Sequence, residues 1–141
     1  MDDVLKILED LFDKGYATRE IVIITDKLKA VLRTLSAVDQ LDIESQMNKE
    51  KLKSNAAAFI IHTYSLLLLS KTIVSYGDKV FKDAIEAYSF LSNLTSSLVD
   101  KMVKAQNALE KDVRKALQMD SIETNFSGTG PLPEKSEQQP E

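Results

Sequence analysis

Apolar positions between residues 3 and 14 fall at Val4, Leu5, Leu8, Leu11 and Phe12, a helical spacing that Gly15 can close as a C-terminal cap. The spacing predicts an amphipathic helix of about three turns, too short to be stable alone and so docked on the rest of the chain. The pattern then changes. Ile21-Val22-Ile23-Ile24 is β-branched throughout, and after Thr25-Asp26-Lys27 comes Leu28-Lys29-Ala30-Val31-Leu32-Arg33. Two such runs around a short polar turn predict a β-hairpin at about residues 20–34. In its second strand Leu28, Ala30 and Leu32 share one face, and Lys29 and Arg33 share the other.

Helical spacing resumes at Ser36-Ala37-Val38-Asp39, a variant capping box with Ser36 as N-cap. It predicts a helix to about Lys53 with Val38, Leu41 and Met47 inward. Residues 54–76 are the most apolar stretch. Ala56–Ile61 and Leu66–Leu69 bracket His62-Thr63-Tyr64-Ser65, and Lys71 lies inside. The recurring polar residues favour a central core helix over a membrane span, with Tyr76-Gly77-Asp78 at its end. Another helix is expected over about Lys79–Ser92, burying Val80, Phe81, Ile85, Tyr88 and Leu91. Thr95-Ser96-Ser97 then offers N-caps for a long helix to about Met119. Leu98, Met102, Ala105, Leu109, Val113 and Ala116 form its apolar stripe, and Asp100/Lys104 and Glu110/Arg114 are spaced as i,i+4 ion pairs.

The elements add up to an α+β fold, predominantly α. One β-hairpin packs on a domain of four to five helices over residues 1–119, and 120–141 form a flexible acidic tail. Composition supports this reading. The chain has only 4 Gly and 3 Pro, which favours long helices over a many-turned barrel. Charge is concentrated in the tail, where Asp120, Glu123, Glu134, Glu137 and Glu141 face one Lys135. That difference equals the net −4 of the whole chain, so residues 1–119 are neutral. A neutral body lacks the basic stripe needed to bind a phosphate backbone, and nucleic acid is not an expected partner. Neither is a membrane. The chain has no cysteine, which removes disulfides and thiolate metal sites, and an acidic N-terminus speaks against a secretory leader.

Candidate chemistry is sparse. His62 is the one histidine, set between Ile61 and Thr63, with no partner identifiable by spacing, and is expected to be a core or interface residue. Asp39 and Asp42 lie three apart on one helix, a commonplace spacing. No phosphate-binding loop, dinucleotide turn or zinc spacing occurs. The expectation is therefore a non-enzymatic protein with no cofactor, no metal and no catalytic residue. A small enzyme using His62 is the remote alternative. Partner binding is expected from the hairpin, through Ile21, Ile23, Leu28, Ala30 and Leu32, and from the last helix, through Leu98, Met102 and Leu109. A lone hairpin leaves edges open to strand addition.

The hairpin running into Leu32-Arg33-Thr34-Leu35-Ser36-Ala37-Val38-Asp39-Gln40-Leu41 resembles the opening of tail assembly chaperones and baseplate hub-type proteins of long-tailed bacteriophages. Ile73-Val74-Ser75-Tyr76-Gly77 resembles their helix ending in a small residue and glycine. Phe90-Leu91-Ser92-Asn93-Leu94-Thr95-Ser96-Ser97-Leu98-Val99-Asp100-Lys101 looks like the segment in which a short loop starts their final helix. The likeness covers residues 19–117 and consists of apolar patterns, so no chemical residue is carried over. It implies a protein that holds tail, tape-measure or baseplate proteins during assembly, or stays in the particle as a minor subunit. Its partners would be those proteins, copies of itself included, in the host cytoplasm during assembly or in the virion tail or baseplate. The acidic tail departs from the family pattern. A helical adaptor or regulator unrelated to phage is the competing reading.

Overall fold

The computed structural model describes residues 2–54 and 56–127. Helix α1 spans Asp2–Lys14, and Gly15 ends it in the left-handed region (φ +85°), its N–H donating to the Leu11 carbonyl at 2.9 Å. Strands β1 (Thr18–Ile24) and β2 (Leu28–Arg33) form the expected hairpin. Its turn places Asp26 at φ +62°, which a short polar side chain tolerates, and the Lys27 N–H closes onto the Ile24 carbonyl at 3.0 Å. A bulge between Val22 and Ile24 turns Ile23 into the core.

Helix α2 covers Ala37–Lys53, and Ser36 Oγ accepts the Asp39 N–H at 3.1 Å as the capping box required. Ile43 and Met47 are its buried side chains; Val38 and Leu41, expected inward, are exposed. Positions 38 and 41 lie on the opposite side of the helix from 43 and 47, and only the latter meet Leu67, Ile60 and Tyr88.

Helix α3 runs over Ala57–Thr72, shorter than the apolar stretch suggested. The chain then becomes β3 (Ile73–Tyr76), turns at Gly77-Asp78, and returns as β4 (Lys79–Val80). This second hairpin replaces the expected end of one helix and start of the next. Ile73 and Val74 suit a strand, and β2 offers its free edge to them. The sheet is thus four antiparallel strands in the order β1-β2-β3-β4. Val80, expected to be buried in a helix, stands exposed on β4.

Helix α4 is confined to Ala84–Ser92. Asp83 Oδ1 accepts the Glu86 N–H at 2.9 Å, and Glu86 Oε1 accepts the Lys82 N–H at 2.7 Å, a reciprocal cap. Ala87 and Leu91 are buried there, whereas Ile85 is exposed. Helix α5 extends over Ser96–Ser127, eight residues beyond the expected end at Met119. The remainder of the expected acidic tail, 128–141, lies outside the described residues.

One sheet face lies on α5. Ile23, Ala30, Leu32 and Ile73 pack with Leu69, Ala87, Leu91, Val99 and Met102 in the main core. Farther along α5, Leu109, Val113 and Ala116 take up α1 through Ile7, with Val4, Leu8 and Leu11 alongside. Polar contacts fix the register. Arg19 pairs with Asp112 at 2.8 Å, Lys101 Nζ donates to the Ile23 carbonyl at 2.8 Å, and Glu110 Oε2 accepts the Leu35 N–H at 2.7 Å. Neither expected i,i+4 pair on α5 forms an ion pair among the described residues; Glu110 is drawn instead to the hairpin's exit.

Candidate protein-binding surfaces

The structure places the expected binding residues in or against the core. Ile23, Ala30, Leu32, Met102 and Leu109 are buried, and Ile21, Leu28 and Leu98 pack partly buried against the same core. The apolar face of the hairpin is the face that meets α5, so none of the five buried side chains can reach a partner while the chain is folded. The stripe on α5 likewise serves the interior. What the hairpin presents outward is Val22, about half exposed, together with Glu20, Lys29 and Val31. The same alternation can be followed along the backbone. The Ala17 N–H donates to Thr34 Oγ1 and the Thr34 N–H to the Ala17 carbonyl, at 3.1 and 3.0 Å. Counting in twos from that pair, Arg19 and Ile21 bond to β2, while Thr18, Glu20 and Val22 face the outer edge. Asp10 Oδ2 accepts the Thr18 N–H at 3.4 Å, and α1 forms a groove of about 410 Å³ beside Thr18–Glu20. The edge is therefore flanked by α1 at its start.

His62 is exposed, which corrects the core half of the core-or-interface expectation. It lines a hollow of about 190 Å³ with Leu66, Leu91, Leu94, Val99, Ser92 and Ser96. None of these is acidic, so the hollow provides no carboxylate to orient the imidazole for proton transfer. Asp39 and Asp42, by contrast, converge. Lys71, largely buried at the end of α3, reaches Asp42 at 2.6 Å and Asp39 at 3.9 Å. The Lys71 hydrogen bond, then that of Gln46, hold the Asp42 carboxyl below its ordinary 3.8. Lys71 also borders a groove of about 510 Å³ between α2, α3 and α4, with Thr63, Leu67, Ile85 and Tyr88 on its walls. The ion pairs tie that lysine to α2, so the arrangement joins two helices.

The surface that stands out is the start of α3. Ala56, Ala57, Ala58, Phe59, Ile61 and Tyr64 are all exposed, Ile61 at 62%, while Ile60 and the buried Thr63 in that stretch turn toward α2. No charged residue occurs between Lys53 and Lys71. The first two turns of α3 thus project apolar side chains into solvent, and only the second half of the helix is enclosed. Length and apolar content had pointed to the interior; which side chains of α3 are enclosed is decided by where the neighbouring helices lie. Among the described residues no helix is long and apolar enough to cross a membrane, and no cluster of histidine, cysteine or carboxylate side chains is placed to hold a metal ion. Comparison of the chain with protein-family models, with curated proteins and with solved structures finds no match.

Proposed function

We propose that this chain is a non-enzymatic protein-binding protein that acts in the assembly of a phage tail or baseplate, as an assembly chaperone or a minor structural subunit. The observation that carries the binding part is the uncovered start of α3. An uncharged helical segment with Phe59, Ile61 and Tyr64 in solvent is costly to hydrate and gains free energy when a partner covers it. An apolar helix end of this kind suits the groove or helix face of another protein. The assembly part rests on the resemblance of residues 32–41, 73–77 and 90–101 to the phage families.

Gene neighbourhood and purification test the two parts together. Flanking genes for tail-tube, tape-measure or baseplate proteins are expected. So is co-purification of one of their products with the wild-type chain from native material, identified by mass spectrometry. Replacing Ile61 with Asp should abolish that co-purification and leave the fold intact, because the side chain is already solvent-facing. Undiminished binding by a folded Ile61→Asp variant would reject α3 as the contact. A partner unrelated to phage particles would favour the adaptor reading.

A further inference from the structure

We propose that copies of this chain associate head to tail, with the outward face of α1 on one copy seated against the outward face of α2 on the next. Each of these helices is docked through one side only. Ile7 fixes α1 on α5, and Ile43 and Met47 fix α2 on α3. On the far side of α1, Leu5 and Phe12 are seven residues apart and so share a stripe, with Phe12 90% exposed. On the far side of α2 the exposed stripe is Val38, Leu41 and Leu52, with Leu52 at 89%. Neither stripe is covered by the described residues of its own copy.

The charges beside the two stripes are opposite. On α1 both lysines are engaged by one acid, Lys6 reaching Asp10 at 3.1 Å and Lys14 reaching it at 3.7 Å. Glu9 and Asp13, which flank Leu5 and Phe12, have no ion pair among the described residues. On α2 the acids nearest Leu52 and Val38 are paired. Glu50 pairs with Lys53 at 3.3 Å and Asp42 with Lys71 at 2.6 Å, whereas Glu44, beside Leu41, accepts from the neutral Gln40 at 2.8 Å and has no ion pair among the described residues. Lys49 and Lys51, beside Leu52, have no ion pair among the described residues. One face is apolar with an acidic margin, and the other is apolar with a basic margin at its Leu52 end.

Unlike faces on one molecule define the geometry of contact. A two-fold pairing of α1 with α1 would set Glu9 and Asp13 against their own kind, and α2 with α2 would do the same to its lysines. Pairing α1 with α2 brings apolar centre to apolar centre and acid to base. Because every copy offers one face of each type, the contact is heterologous and can repeat from copy to copy. It uses neither Phe59 nor Ile61, so it stands or falls separately from partner binding at α3.

Sedimentation of the full chain over a range of concentrations reads this directly. The average mass should rise with concentration and fall with added salt. Phe12→Asp and Leu52→Asp should each weaken association at least about tenfold, with melting temperatures unchanged because both side chains are already in solvent. The decisive step is to mix them. Phe12→Asp keeps an intact α2 face and Leu52→Asp an intact α1 face, so the mixture should form a 1:1 complex that neither makes alone. A folded wild-type chain that stays monomeric up to about 1 mM would overturn the proposal. So would two folded variants that fail to combine, or an equal loss of association in Ile85→Asp, which removes an exposed apolar residue away from both faces.

Discussion

At the scale of single residues, the most consequential polar contact is the one between α5 and the exit of the hairpin. Gln106 is almost completely buried. Its amide donates to Glu110 Oε2 at 2.8 Å and to the Arg33 carbonyl at 3.4 Å, while the same carboxylate oxygen accepts the Leu35 N–H. Glu110→Ala leaves the Leu35 N–H without its acceptor and the buried Gln106 amide with only its longer bond to the Arg33 carbonyl, and should cost about 1–3 kcal/mol, measurable by urea denaturation. Spacing made Glu110 a candidate partner for Arg114; only the fold brings Leu35 to it. Asp10 offers a second test. Burial raises its carboxyl, but the Lys6 hydrogen bond, the Thr18 N–H and the charges of Lys6 and Lys14 outweigh this and hold it below its ordinary 3.8. A carboxyl depressed in the folded state stabilises the fold above its unfolded pKa, and that contribution is lost as pH falls through the folded value. Melting temperature should therefore drop between about pH 5 and about pH 2, and Asp10→Asn should show a smaller drop from a lower neutral-pH value. An identical pH profile in Asp10→Asn would show that the carboxylate contributes nothing.

At the scale of elements, periodicity reveals a helix more readily than it reveals which side of the helix is buried. The capping box at Ser36, the glycine at Gly15 and the hairpin around Asp26 were all legible, because each is a local backbone requirement met by local residues. The burial of Ile43 and Met47 rather than Val38 and Leu41 was not, since α2 carries apolar residues on both sides and only the position of α3 selects one. The short hairpin β3–β4 was hidden for a different reason. Its second strand has two residues, too few for any alternation to show, and its first continues an apolar helical run. The signal that could have found it is Gly77-Asp78 between β-branched Ile73-Val74 and Val80, a two-residue turn. Gly77 sits at φ +60°, and a Cβ there would lie 3.3 Å from Leu28 Cδ1. Gly77→Ala should therefore destabilise the chain by about 1 kcal/mol, seen as a lower denaturant midpoint with an unchanged slope.

At the scale of the whole molecule, α5 is the shared support. It receives the sheet through Val99 and Met102 and α1 through Leu109, Val113 and Ala116, so the two clusters lie in series along one helix. The same arrangement separates what is held from what is offered. The residues expected to bind partners are held, and Phe12, Leu52 and Ile61, which no periodicity distinguished from core positions, are offered. That distinction belongs to tertiary structure, because only the placement of neighbouring elements decides which apolar side of each helix is covered. Amide hydrogen exchange should follow it. The centre of α5 and strand β2 should exchange only through global unfolding, whereas the first two turns of α3 and helix α1 should exchange through local opening. Leu109→Ala, which removes a fully buried side chain at the α1 junction, should cost about 2–5 kcal/mol. If α5 couples the clusters, that loss appears undiminished in the slowest amides of β2, although β2 belongs to the other cluster. If β2 keeps its protection while α1 loses its own, α1 is a separable flap and the sheet with α3 and the first half of α5 folds as a unit without it.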